Sequence, residues 1–142
     1  MPTKLPIGEP IILSDIETKL LYQAKCRDLN IPEVFGQYQK FRNNFLSLCQ
    51  KRTFTYQGAQ IGSLSAKVIG IIMINNDNFC KYDLSNNLFR DEGVIHIAKA
   101  LNKSEVISLN LSTNAMTDIG LIAIIEALIC NETVIDLDIS SR

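Results

Sequence analysis

The sequence predicts an α/β repeat protein, a solenoid with short parallel strands on its concave side and helices on its convex side. Residues 82–93 and 109–120 both follow the pattern L-x-L-x-x-N-x-φ-x-x-x-G, where φ is apolar and Tyr82 takes the first position of one copy. An apolar helical run follows each copy, and a third copy opens at residues 137–139. One such unit cannot bury its apolar face alone, so the units must stack on each other.

The spacing of the apolar pairs sets the register of the predicted strands. Four pairs stand at 54/56, 82/84, 109/111 and 137/139, separated by 28, 27 and 28 residues. Alternate residues of a strand point to the same side, so each pair should face the core. The first pair opens a degenerate repeat, in which Ala59 and Ser65 replace the Asn and the Gly. The helices should pack on the strands through Ala66, Ile69, Gly70 and Met73, then Val94, Ile97, Ala98 and Leu101, then Leu121, Ile124, Ile125 and Leu128.

The recurring asparagines and glycines have predicted structural roles. Asn87 and Asn114 lie where the chain leaves a strand, so their side-chain amides can bond backbone groups that the turn leaves unpaired. We predict that these two residues form a structural Asn ladder. Gly93 and Gly120 are expected to permit a tight entry into the helix that follows.

The residues before the repeats predict a helical N-terminal cap. Residues 1–13 contain three prolines and are interpreted as an extended lead-in. Residues 14–52 then form the cap: Ser14 and Glu17 have capping-box spacing, and Ile16, Leu20, Leu21 and Ala24 make a first apolar stripe. The second stripe is Val34, Tyr38, Phe41, Phe45 and Leu48. Its spacing also suits a coiled coil, but two turns are too few for one. Residues 53–142 form the solenoid, with the last repeat truncated.

The repeat resembles the ribonuclease-inhibitor-like class of leucine-rich repeats, whose units are 27–29 residues long. The matching residues are Leu84, Asn87, Phe89 and Gly93, then Leu109, Leu111, Asn114, Met116 and Gly120. The resemblance implies a short leucine-rich-repeat solenoid over about the last two thirds of the chain. Ala59 and Arg142 depart from it at Asn positions. The class includes inhibitors, immune sensors, actin-capping proteins, activators of a Ran-type GTPase and ciliary scaffolds, so the resemblance implies protein partners.

Composition excludes several other functions. The net charge of −1 gives no indication of nucleic-acid binding. Four widely spaced cysteines favour reduced thiols over a metal site or a disulfide framework. The longest apolar runs fall well short of the ~20 residues of a membrane helix. We therefore expect a cytoplasmic protein, with cytoskeletal or ciliary sites implied by the resemblance, without cofactor, metal, nucleic-acid partner or membrane insertion.

The strand residues that flank each core pair should face the concave side, where repeat proteins bind partners. The candidate protein-binding residues are Lys81, Asp83, Ser108, Asn110, Asp136 and Asp138. Three carboxylates against one lysine favour a basic or polar partner. The alternative is a solvated strand face without a partner. His96 is interpreted as a surface residue, because the sequence offers no nucleophile and base to work with it. Arg90 lies after the Asn of its repeat and could serve a GTPase partner, but it is interpreted as a solvated loop arginine, because arginine fingers are rare among loop arginines.

These patterns predict a non-enzymatic protein-binding or scaffold module in a larger assembly. The alternative, from the resemblance alone, is a regulator of a small GTPase, which stimulated GTP hydrolysis would reveal. Leu137 and Ile139 begin a strand that no helix follows, and solenoids need capped ends. We therefore expect this exposed C-terminal edge to be covered by a partner chain, or by further repeats if the chain is a fragment.

Overall fold

The computed structural model describes residues 13–49 and 52–140, and four strands within them form one parallel sheet. The strands lie in sequence order, and the predicted register is confirmed because Phe54 pairs with Tyr82, Tyr82 with Leu109, and Leu109 with Leu137. Each strand has three residues: β1 is Thr53–Thr55, β2 is Lys81–Asp83, β3 is Ser108–Asn110 and β4 is Asp136–Asp138. The predicted lead-in lies outside the described residues except for Leu13, which is buried.

Five helices accompany the sheet within the described ranges. Two precede it and three lie in the crossovers between successive strands: α1 is Asp15–Leu29, α2 is Phe35–Leu48, α3 is Ser63–Asn75, α4 is Arg90–Leu101 and α5 is Asp118–Ile129. Helix α1 packs against α3, α3 against α4, and α4 against α5. The result is an α/β architecture compatible with a short leucine-rich-repeat-like solenoid.

The core lies between the strands and the helices. Phe54, Tyr82 and Leu109 are fully buried at the centres of their strands. Ile69, Ile97 and Ile124 occupy equivalent positions on α3, α4 and α5 and are equally buried. Burial of this apolar surface is the main stabilising contribution to the fold. Two phenol groups, those of Tyr56 and Tyr82, are buried without a hydrogen-bond partner among the described residues, and this burial raises their pKa.

Aromatic residues from the N-terminal helices close the first end of the stack. The Phe45 ring of α2 meets the rings of Phe54 and Tyr56 edge-on, with centroids 5.2 and 4.9 Å apart. Phe41 stacks on Phe45 at 5.4 Å and links the cluster to Tyr22 of α1. The middle of the second predicted stripe therefore packs as expected, although its two end residues, Val34 and Leu48, are exposed.

The capping box that starts α1 is present, but only half of the predicted apolar stripe is buried: Leu21 and Ala24 are buried, whereas Ile16 and Leu20 are not. Ser14 accepts from the Glu17 amide, and Glu17 accepts from the Ser14 amide. Ile16, however, is 74% exposed, and Leu20 is also exposed. The buried side of α1, which packs against α3, carries Thr18 beside the predicted Leu21. Thr18 is tolerated there because its hydroxyl donates to the Ser14 carbonyl at 2.9 Å.

Gly93 and Gly120 lie within the first turns of α4 and α5, and the reason predicted for them is corrected. Neither has a positive φ, so neither supplies a special backbone conformation. A Cβ on Gly93 would lie 2.8 Å from the Phe89 Cβ, and one on Gly120 would lie 2.7 Å from the Asp91 carboxylate. The glycines are needed because neighbouring groups approach the helices closely.

Candidate functional site

The predicted binding residues lie on the sheet face opposite the core, and we call this set the polar sheet face: Lys81, Asp83, Ser108, Asn110, Asp136 and Asp138. Lys81, Asp136 and Asp138 are exposed, and the other three are half-buried. Across the sheet, the register puts Lys81 beside Ser108 and Ser108 beside Asp136. The face is therefore one continuous surface across three neighbouring strands.

Short turns after the strands hold the acceptors of the polar sheet face in place. The Asp83 carboxylate accepts from the Ser85 hydroxyl at 2.7 Å. The side-chain Oδ1 of Asn110 accepts from the Ser112 hydroxyl at 2.8 Å, and the Asp138 carboxylate accepts from the Ser140 amide at 3.0 Å. This last bond lowers the pKa of Asp138. The same Asx-type turn recurs after β2, β3 and β4, so the polar groups lie at a regular spacing and lose little side-chain entropy on binding.

Asn87 and Asn114 lie beneath this face, and both are buried. The Asn114 amide donates to the carbonyls of Leu84 and Leu111 at 2.9 and 3.1 Å, joining one repeat to the next. Asn87 donates in the same way to Tyr56 and Leu84, at 2.8 and 3.0 Å. Its Oδ1 accepts from the Ala59 amide, which occupies the Asn position of the first repeat. Arg142, at the next such position, lies outside the described residues.

Two carboxylates that the sequence analysis did not single out cap helices of neighbouring units. Asp28 of α1 accepts from the amides of Gly62 and Ser65 at the start of α3, at 2.8 and 2.9 Å. Asp91 of α4 accepts from the amides of Thr117 and Gly120 at the start of α5, at 2.8 and 2.9 Å. A hydrogen bond from the Thr117 hydroxyl and, to a smaller extent, one from the Thr117 amide lower the pKa of Asp91.

The last repeat leaves an apolar surface open, which we call the open end: Leu121, Ile125, Leu128, Val134, Leu137 and Ile139. Ile125 is 48% exposed, and the other five are partly buried. The prediction that Ile125 packs on the strands is therefore wrong. Ile125 holds the helix position that Gly70 holds in α3 and Ala98 in α4, and this position faces the next helix of the stack. In α3 that row meets α4, since a Cβ on Gly70 would lie 3.5 Å from the Ala100 Cβ. No helix follows α5 among the described residues.

Two residues interpreted as surface groups lie on α4. His96 is half-buried. Its burial lowers its pKa, and the positive charges of Lys67 and Lys99 lower it further. Arg90 is exposed at the start of the helix with a φ of 58°. It borders a groove of about 250 Å³ together with Asp28 and Glu92, whose carboxylates carry the opposite charge.

A larger groove lies where the helices end. It has a volume of about 520 Å³ and is lined by the ends of α3, α4 and α5 and by the loops that follow them. Within residues 13–49 and 52–140, no three His, Cys, Asp or Glu side chains are grouped so as to hold a metal ion. None of the helices in the same ranges is long and apolar enough to span a lipid bilayer.

Comparisons with known proteins support the fold. No family model matches the sequence, and no curated protein matches it. The fold is similar to a solved structure titled Leiomodin-1 Actin-Binding Site 2 (ABS2), a leucine-rich-repeat-like fold, with 22% sequence identity and a TM-score of 0.62. The match covers 78% of this chain and 64% of that chain, so this chain spans less than two thirds of its neighbour's length. At this identity the likeness shows the fold.

Proposed function

We propose that this chain is a non-enzymatic protein-binding module that acts within a larger cytoskeletal assembly, as a short solenoid of ribonuclease-inhibitor-like leucine-rich repeats. The observation that carries the proposal is the polar sheet face, a continuous set of charged and amide side chains on paired strands. Repeat proteins bind partners through surfaces of this kind. The 27- and 28-residue spacing and the two buried asparagines support the class of repeat.

The chemistry of the polar sheet face favours a basic protein partner. The six residues of this face include three carboxylates, those of Asp83, Asp136 and Asp138, and one cation, Lys81. Asx-type turns already give the carboxylates of Asp83 and Asp138 at least one hydrogen bond each and fix their direction. Such a preorganised surface gives up little conformational entropy when it binds. Its charge would steer a basic surface toward it and raise the association rate at low salt.

The cytoskeletal part of the proposal is supported by the similar fold of a structure whose title names an actin-binding site. Actin is therefore the first protein to test, in both monomeric and filamentous form. The test compares the wild-type chain with a variant in which Asp83, Asp136 and Asp138 are changed to Lys. A matched control changes three exposed carboxylates elsewhere, Glu33, Glu92 and Glu105, to Lys, with the same change in net charge.

Cosedimentation with filaments and size-exclusion chromatography with monomers give separable outcomes. The proposal predicts that the wild-type chain and the control variant bind and that the variant of the polar sheet face does not. Binding that survives in that variant would move the site to the helices or to the N-terminal cap. Failure of the wild-type chain to bind either form of actin would contradict the actin proposal, and circular dichroism of each variant checks that it is folded.

A further inference from the structure

We propose that the open end binds a basic, extended segment of another protein, which joins the sheet as a fifth strand beside β4. This inference rests on the proposed protein-binding function and names the chemistry of one partner. The segment places an apolar residue beside Leu137, facing the core, and Lys or Arg beside Asp136 and Asp138. Three observations carry the proposal: the edge of β4, the apolar surface next to it and the charge of the last repeat.

The edge of β4 repeats the pairing groups that every earlier strand uses. Leu111 donates its amide to the Asp138 carbonyl at 2.8 Å, and Leu84 donates to the Asn110 carbonyl at 2.9 Å. Ile139 occupies the position of Leu84 and Leu111 in the repeat of β4. Among the described residues, β4 is the last strand of the sheet. Likewise, the Ile107 carbonyl accepts from the amides of Ile135 and Asp136. The Ile135 carbonyl is its equivalent in the next repeat and lies at this edge. Donor and acceptor at this edge therefore match those that hold a parallel strand.

The apolar part of the open end fits the inward side of such a segment. Leu137 and Ile139 hold the positions of Leu109 and Leu111, which are fully buried in the repeat before. Ile125, however, replaces the Gly70 and Ala98 of the earlier helices. Its larger side chain prevents a following helix from approaching as closely as α4 approaches α3, where the Gly70 Cβ position is 3.2 Å from the His96 carbonyl oxygen. Ile125 therefore adds its exposed side chain to the apolar surface beside the sheet edge.

The charge of the last repeat selects a basic occupant. Residues 104–140 span the β3 repeat and the strand of the last repeat, and Arg142 follows them; they contain no Lys or Arg and six acidic residues: Glu105, Asp118, Glu126, Glu132, Asp136 and Asp138. Asp136 and Asp138 flank Leu137 on β4 and are both exposed. Opposite charges on directly paired strand residues stabilise the pairing, and like charges destabilise it. The pattern basic–apolar–basic therefore complements β4.

Asp118 adds a further carboxylate at the same end. It occupies the position in α5 that Asp91 occupies in α4, where Asp91 binds the amides of Thr117 and Gly120 in the next unit. Asp118 is exposed and bonds to no other described residue through its side chain. It offers a second contact to a basic side chain beyond the strand.

The same charges oppose a second copy of this chain at the open end. If two β4 strands paired antiparallel about Leu137, Asp136 of each copy would lie opposite Asp138 of the other. Four carboxylates would then face each other across one short ladder, which is destabilising. The same charges therefore favour a basic segment over a second copy.

A ten-residue labelled peptide that alternates lysine with apolar residues tests this proposal by fluorescence anisotropy. One matched peptide carries glutamate in place of lysine, and another carries N-methyl groups on the amides of one edge, which blocks strand pairing. The three proteins are the wild-type chain, the double variant Asp136→Lys/Asp138→Lys, and Asp83→Lys, whose change lies two strands from the edge.

The lysine peptide should bind the wild-type chain at least about tenfold more tightly than the glutamate peptide, and N-methylation should abolish binding. The double variant should prefer the glutamate peptide, a reversal that unfolding cannot produce. Equal binding of the lysine and glutamate peptides, or undiminished binding of the methylated one, would overturn the proposal. Loss of peptide binding in Asp83→Lys alone would also overturn it. So would a concentration-dependent dimer that the peptide displaces, because such a dimer would assign the open end to a second copy. Failure to bind actin would leave these outcomes unchanged, so the two proposals fail separately.

Discussion

The two ends of the strand stack place the same kind of residue in opposite environments. At the first end, Phe54 and Tyr56 of the β1 repeat are buried under Phe45 of α2. At the other end, Leu137 and Ile139 occupy the equivalent positions and remain partly exposed. Both pairs hold the same register positions, so the difference comes from the neighbour that each end has. A repeat unit therefore presents a binding surface wherever its neighbour is missing.

The largest difference should appear when an apolar side chain is removed from each end. Phe45→Ala deletes the ring that seals the first end and should cost about 3–5 kcal/mol of the free energy of unfolding. Leu137→Ala removes a partly exposed side chain and should cost about 1 kcal/mol. Urea denaturation followed by circular dichroism measures both. Equal losses would show that the two ends are equally closed.

The Asn ladder sharpens the comparison within the interior. Asn114→Ala leaves the carbonyls of Leu84 and Leu111 without their buried donor and should cost roughly 1–3 kcal/mol. Ser112→Ala, in the half-buried Asx-type turn of the same repeat, is the control and should cost less. An unchanged melting temperature for Asn114→Ala would contradict the structural role of the ladder.

The glycines separate close packing from backbone freedom. Gly93→Ala places a Cβ 2.8 Å from that of Phe89 and should lower the free energy of unfolding by about 1–3 kcal/mol. Gly36→Ala in α2 is the control, since its Cβ would meet nothing within 4 Å. That control should gain about 0.5–1 kcal/mol, because alanine favours a helix more than glycine does. A stabilising Gly93→Ala would refute the packing argument.

The smallest expected effect distinguishes two equivalent carboxylates. Asp91 caps α5 and has a lowered pKa, so its stabilisation is present above the unfolded pKa of about 3.9 and is lost as the pH falls through the lower folded value. Asp91→Asn should therefore lower the melting temperature at pH 7 and matter less in acid. Asp118→Asn should leave the melting temperature unchanged, because no described helix follows it. Equal effects of the two changes, at every pH, would count against the cap.

The strand register could be predicted from the sequence, because a repeat at 27 and 28 residues leaves one way to align the strands. The positions that face the core on β1–β3 followed from that alignment. Helix faces were less predictable where two apolar stripes compete. Ile16 and Leu20 continue a stripe on α1, but α3 packs on the face of Thr18, whose hydroxyl bonds within its own helix.

The carboxylate caps could not be predicted, because they join residues in different units. Asp28 bonds amides 34 and 37 residues away, and helix propensity carries no information at that distance. The equivalent spacing of Asp91 and Asp118 was the one available indication. Ile125 was misassigned for a related reason, since periodicity marks an apolar face but does not say whether a neighbour covers it.

Amide hydrogen exchange of Leu111 and Ile139 tests the central claim, that one end of the stack is closed and the other is open. The Leu111 amide donates to the Asp138 carbonyl, whereas the equivalent Ile139 amide lies at the open edge. In the free monomeric chain, we predict that Ile139 exchanges at least about a hundredfold faster than Leu111. Addition of the lysine peptide should slow exchange at Ile139 and leave Leu111 nearly unchanged. Equally slow exchange of the two amides in the free monomer would contradict the account.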